Sequence, residues 1–290
     1  MKMNALYRAI GLSKQSFHQR LGREMRHLEE EAYLLVLIKQ IREDHPSMSS
    51  RQMYRLISPA HLGRDKFEVF CFANGFKISV KRAYYRTTNS LGVTRFENLL
   101  VGFESTGVNQ VWVSDITYYR IGDKFYYLTF ILDLYSRFIV GHSTSENLLT
   151  HHTTIPALKM ALKDRKPHQA LIIHSDGGGQ YYCKDWLGLT EANQLKNSMC
   201  ESVYENAHAE RINGTIKNDY LIHYGPQDYS QLIAMTTKAV MKYNLERPHQ
   251  SLGNMSPNQF EKSLPVYDTV INNGFKRKKV TKKEKTQECG

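Results

Sequence analysis

The 290-residue chain has no apolar run long enough to span a bilayer. No signal peptide opens it: Met1-Lys2-Met3-Asn4-Ala5-Leu6 leads straight into an amphipathic pattern. Cysteine is scarce. The four residues, Cys71, Cys183, Cys200 and Cys289, stand far apart without a Cys-x-x-Cys pair. That spacing fits reduced thiols and gives no zinc site, and the 12 histidines form no zinc-finger spacing with them. Convincing leucine-zipper heptads are missing as well. What the chain does have is positive charge, unevenly placed. Of its net +11, residues 1–100 carry 17 Lys/Arg against 9 Asp/Glu, and residues 276–290 carry 7 against 2. Residues 101–275 hold 15 against 17, a slightly acidic middle. Basic flanks suit either solubility or phosphate contact, and an acidic centre suits a site that gathers cations.

The amino-terminal region reads as helical. Leu6, Ile10, Leu12, Phe17 and Leu21 predict two short helices around a turn at Gly11, with Ser13 as cap. A further helix is expected over 28–43, from Leu28, Ala32, Leu35, Ile38 and Ile41. Ser49 and Ser50 offer a cap for one near 50–58, Gly75 closes one at 64–74, and Ser79 opens one at 80–88. That last helix carries Lys81, Arg82, Tyr84, Tyr85 and Arg86, so it could lie in a major groove. The alternative is an ordinary helical bundle. Residues 91–108, with little periodicity, read as a linker after a helical 1–90.

From residue 110 the pattern changes to strands. Residues 110–120 and 125–132 form a predicted hairpin about Gly122-Asp123-Lys124, followed by a strand at 138–142. A helix near 154–164, a strand ending at His174-Ser175-Asp176, a helix near 182–193, a strand near 195–199 and helices at about 205–221 and 228–245 complete an α/β layer fold. Residues 266–290 read as a polar, basic tail.

Three carboxylates stand out. Asp115 lies mid-strand on the face of Val111 and Val113, where a charge is costly unless paired or metal-bound. Asp176 ends an apolar strand and precedes Gly177-Gly178-Gly179, which permits close approach. Glu210 lies within a helix, with Asn206 and Lys217 on nearly the same face. Converging carboxylates repel each other unless divalent cations neutralise them, and oxygen-only ligation favours Mg²⁺, with Mn²⁺ as substitute.

With those residues in view, the chain resembles the integrase core of bacterial insertion-sequence transposases. The matching segments are Trp112-Val113-Ser114-Asp115-Ile116-Thr117-Tyr118, Leu132-Asp133-Leu134-Tyr135-Ser136-Arg137, and His174-Ser175-Asp176-x-Gly178-x-Gln180-Tyr181. Asn206-Ala207-x-x-Glu210, Lys217 and Tyr243-Asn244-x-x-Arg247-Pro248-His249-Gln250-Ser251-Leu252 follow in order. This is similar to the second-frame (OrfB) product of the IS-three family, within the retroviral integrase superfamily. The resemblance implies a ribonuclease-H-like core over 109–265, with a mixed five-stranded sheet and flanking helices, behind a helix-turn-helix region. It implies a DNA transposase in which Asp115, Asp176 and Glu210 hold two Mg²⁺ ions, cutting element ends and joining them by 3′-hydroxyl attack without a covalent protein–DNA intermediate. The implied partners are double-stranded DNA (terminal inverted repeats and target), further copies of the chain, and an OrfA protein. The implied setting is the bacterial cytoplasm and nucleoid. Two departures from the family pattern are present: 33 residues rather than the usual 35 separate Asp176 and Glu210, and Glu205 stands where the family commonly has Asp. Glu201 and Glu205 are thus rival third ligands.

Other residues carry paired readings. Asp133 is expected to be structural, before a tight turn, with Arg137 as partner. His174 either touches metal or DNA or packs; Lys217 either meets a phosphate or is solvated; Arg247 and His249 either support the active-site helix or touch DNA. The competing function is a catalytically inactive DNA-binding remnant or regulator, and a nuclease of the same fold is a third.

Overall fold

The computed structural model describes residues 7, 9, 11, 13–78, 96–167, 171–200 and 207–265. They fall into two compact units divided between residues 80 and 81.

The amino-terminal unit is helical. Ser13 does cap a helix, its hydroxyl accepting the Ser16 amide at 3.1 Å. That helix, α1, runs from Lys14 to Asp44 without a break, rather than ending near residue 22 and restarting at 28. Only Gly22 interrupts an otherwise helix-favouring stretch, and one glycine costs too little to end it. α2 (Ser50–Ile57) opens with a full capping box from Ser49 and Gln52. α3 (Arg64–Ala73) is closed by Gly75 at a positive φ of 79°. Leu34, Ile38, Met48, Met53, Phe67 and Cys71 form the core of this unit. The expected groove-reading helix with Lys81, Arg82 and Arg86 lies outside the described residues.

The second unit is built on a five-stranded sheet of order β3-β2-β1-β4-β5. β1 (Val111–Ile121), β2 (Lys124–Asp133) and β3 (Ile139–Ser145) form an antiparallel meander. Gly122-Asp123 makes the first hairpin, as the turn chemistry requires. α4 (Thr154–Arg165) then crosses to β4 (Ile172–Ser175), parallel to β1, and α5 (Lys184–Ala192) crosses to β5 (Lys196–Met199), parallel to β4. Helices cover both faces. Trp112, Ile131 and Ile173 pack under α4 and α5 with Leu158, Ala161 and Trp186. Val111, Val113, Leu128 and Phe130 pack against α6 (Ala207–Gly214), the segment after it and α7 (Tyr229–Glu246). The described residues end with a 3₁₀ turn, Gln250–Leu252, and α8 (Pro257–Ser263).

The structure departs from the sequence reading at three places in this unit. The third strand extends to Ser145 because β2 offers partners that far, with Thr129, Leu128 and Tyr127 opposite Ser143, Thr144 and Ser145; Asn244 of α7 fastens its beginning, bonding the amide and carbonyl of Ile139 at 2.9 and 3.0 Å. The helix expected to run to 221 changes at Thr215 into a π-helical stretch, Thr215–Leu221, before a last turn at Ile222–Tyr224. The linker, described from residue 96, is packed: Leu99, Leu100 and Phe103 lie on the core, and the Leu99 amide donates to Ser198 at 2.9 Å.

Candidate active site

Strand alternation decides where Asp115 points. Val111 and Val113 belong to the apolar layer under α6, and Asp115 is the next residue on that side. The β1–β4 pairing ends at Ser114 with Ser175, so Asp115 and Asp176 leave the last paired rung side by side. Beyond it β1 stays paired with β2 and no longer with β4.

The Asp176 loop is drawn tight. The Gly178 amide donates to Asp176 Oδ1 at 3.1 Å, and a Cβ on Gly178 would stand 3.0 Å from that oxygen. A glycine is therefore needed for close approach, not for a positive φ. Beneath the pair, Ser114 Oγ and the Tyr181 hydroxyl lie 3.0 Å apart, and Tyr181 stacks edge-on against Trp186.

Asp115 receives two hydrogen bonds. The Ile116 amide donates to Oδ1 at 2.9 Å, and the Asn213 side-chain amide donates to Oδ2 at 2.7 Å. Asn213 stands on α6, one turn beyond Glu210. Sequence reading missed it; the only signal available was its place three residues after Glu210. Burial, then the Asp176 charge, and then the Glu210 charge push the Asp115 carboxyl up to about 8, against the Ile116 amide and the Lys217 charge. Asp176 is raised too, by burial, with the Gly178 amide opposing. Glu210 itself is exposed. Among the described residues no three His, Cys, Asp or Glu side chains stand close enough to enclose a metal ion. The three carboxylates thus share one electrostatic neighbourhood without closing on a point. The rival ligands Glu201 and Glu205, and the supporting Asn206, lie outside the described residues.

Lys217 lies in the π-helical stretch, a geometry frequent at functional sites. Its Nζ donates to Thr117 Oγ1 at 2.7 Å and sits 5.5 Å above the Tyr118 ring. Burial lowers its pKa while Asp115 raises it. Arg247 points inward: it pairs with Asp219 at 2.6 Å, its side chain is 14% exposed, and it lies against Tyr220. Of the two roles open to it, this geometry supports bracing of the helix rather than DNA contact. His249 packs edge-on against Tyr243. His174 is buried and its Nδ1 lies 2.9 Å from Ser198 Oγ, a link between β4 and β5.

Asp133 is structural, but Arg137 is not its side-chain partner. Asp133 accepts the amides of Asn109, Tyr135 and Ser136 at 2.6, 3.0 and 2.9 Å, and the Ser136 hydroxyl at 3.2 Å. With φ at 61°, Arg137 turns away and its guanidinium lies 2.9 Å from His208 Nδ1.

A mixed five-stranded sheet sandwiched by helices, with carboxylates at the end of a parallel strand pair and on the covering helix, defines a ribonuclease-H-like integrase core. Models described as integrase core domain match residues 105–203 and 193–257. An insertion element IS600 31 kDa protein of Shigella sonnei, itself uncharacterized, is 36% identical over 204 residues, covering 69% of this chain and 75% of that protein. The transposase InsF for insertion sequence IS3A of Escherichia coli K12 is 35% identical over 176 residues, 59% of this chain and 60% of InsF. A simian T-cell lymphotropic virus intasome complex contains a chain of the same fold, with 14% identity, a TM-score of 0.50, and 76% and 77% of the two chains covered. The chain belongs to the integrase-core family of IS3-type insertion-sequence transposases, DDE-type polynucleotidyl transferases of the retroviral integrase superfamily. No helix among the described residues is long and apolar enough to cross a membrane.

Proposed function

We propose that this protein is an active DNA transposase that cuts the ends of its element and joins them to target DNA. The observation that carries the reading is Asp115. Its carboxyl is driven up to about 8 by burial and by the charges of Asp176 and Glu210, a repulsion that a bound cation would relieve. The donor set fits divalent metal: all-oxygen, and supplied by a strand, a strand end and a helix, with Mg²⁺ the hard cation it suits. Asp115, Asp176 and Glu210 would hold two such ions. When bound, they would polarise the phosphodiester and lower the pKa of the attacking hydroxyl.

The chain's own residues do the rest. Ile116 and Asn213 hold the Asp115 carboxylate in one orientation, and Gly178 holds that of Asp176. Lys217, on the rim beside Asp115, offers its ammonium to a DNA phosphate. The water or 3′-hydroxyl attacks phosphorus directly, so no nucleophilic side chain is required. The tyrosines of β1 and β2 serve packing: Tyr118 against Phe125, and Tyr126 stacked on Tyr229. DNA ends, target DNA, further copies of the chain and an OrfA protein are the partners, with Lys81, Arg82 and Arg86 as DNA contacts.

The test is cleavage and strand transfer on labelled element ends in Mg²⁺. Both reactions are expected for the parent chain and are expected to vanish in Asp115→Asn, Asp176→Asn and Glu210→Gln. Salt-sensitive binding of DNA with no metal-dependent cutting would mark an inactive regulator instead.

A further inference from the structure

We propose that Asn213 is the positioning residue that sets Asp115 for reaction, and that through it α6 fixes where Glu210 stands relative to Asp115; this rests on the transposase reading above. Asn213 and Asp115 are 98 positions apart in sequence, and their 2.7 Å hydrogen bond ties α6 to β1 at the site. Asn213 follows Glu210 by three residues, so the two lie about one turn apart on the same helix. In the ionised form that holds a cation the carboxylate only accepts, and it is the amide nitrogen of Asn213 that faces it. With Oδ2 taken by Asn213 and Oδ1 by the Ile116 amide, the Asp115 carboxylate cannot rotate freely.

The other end of Asn213 argues against a purely structural role. The residue is 6% exposed, and its Oδ1 is buried with no hydrogen-bond partner among the described residues. Its helix neighbours Ala209, Ile212 and Ile216 are core residues, so an apolar side chain would suit the packing at this position better. An unpaired buried amide oxygen costs stability, so the amide adds less to the fold than a fully paired one would. The amide is retained here for the carboxylate it orients. Residues that hydrogen-bond to ligating carboxylates typically change metal affinity or activity ten- to a hundred-fold when removed.

The experiment is calorimetric titration of the full chain with Mn²⁺, alongside steady-state cleavage of element-end DNA. Variants are Asn213→Ala, Asn213→Gln and Asp115→Asn, with circular dichroism to check folding. Asn213→Ala is expected to weaken Mn²⁺ binding about ten-fold and to lower kcat by a similar factor, with the KM for DNA unchanged. Asn213→Gln, which keeps the amide, should recover part of both. Should Asn213→Ala not fold, Asn213→Ser replaces it, being too short to reach Asp115. Wild-type Mn²⁺ affinity in the alanine or serine variant, while Asp115→Asn abolishes binding, overturns this assignment and leaves the transposase reading standing. If the parent chain binds no Mn²⁺, or Asp115→Asn binds as well as the parent, both readings fall. A raised KM with unchanged kcat would make Asn213 a DNA contact, and likewise overturns the assignment.

Discussion

Asp115 and Asp133 sit on adjacent, paired strands, Asp133 opposite Trp112 and Asp115 opposite Phe130, yet the protein treats them in opposite ways. Asp133 is fully buried and meets three backbone amides and a hydroxyl. Asp115 meets one backbone amide and one side-chain amide, and it faces two like charges. Burial raises the pKa of both, but at Asp133 the amides of Ser136 and Asn109 oppose it most. A carboxylate saturated with donors holds a turn together. One with fewer donors among other carboxylates is the kind of group that the proposed cations would neutralise.

The sharpest way to break this contrast is to remove each charge in turn. Asp115→Asn should cut strand transfer by about a thousand-fold or more, roughly 4 kcal/mol of barrier. Its thermal midpoint should hold or rise, because a repelled charge is gone. A loss of stability with activity retained would place Asp115 in the same class as Asp133. Asp133→Asn should do the reverse, costing about 2–4 kcal/mol in denaturant melts because an NH₂ then faces amide donors. Activity per folded molecule should change little.

Lys217→Ala sharpens the site end of the comparison. It should weaken element-end binding by about ten-fold and reduce the slope of log affinity against log salt by about 1. An unchanged salt slope would leave Lys217 as a tether to Thr117 alone. The smallest effect is a pH dependence set away from the site. Burial lowers His142 and His249 to about 4. Their folded values lie below the ordinary 6.5, so the unfolded chain takes protons first as pH falls. The stability tied to their neutral rings is therefore full above about 6.5 and is lost progressively toward 4. Melts of His142→Gln and His249→Gln should flatten this slope; parent-like slopes in both would assign the loss to other groups.

Much of this was legible from residue order. The hairpin at Gly122-Asp123, the Ser49 capping box and the strand ending at Asp176 are local features, each written in two to four neighbouring residues. Asp115 could be suspected because a charge interrupts an alternating apolar face. The continuity of α1 was not legible, because its turn signals near residue 22 were too weak to stop a helix that has formed. Nor was the π-helical stretch, since Thr215–Leu221 carries no composition cue that sets it apart from an α-helix. The partners of Asp133, Arg137 and Arg247 escaped for a different reason: Asn109, His208 and Asp219 lie 24, 71 and 28 residues away.

Sequence alone determined the family and a mixed sheet of three antiparallel strands with parallel additions, and it singled out three carboxylates as candidates, because those rest on local pattern and on motifs in series. Tertiary structure decided which aspartate is saturated and which is left wanting, and it brought Asn213 to Asp115 across 98 residues. Hydrogen-bond partners chosen across a folded sheet depend on register and helix rotation, and neither is written in any single stretch of chain.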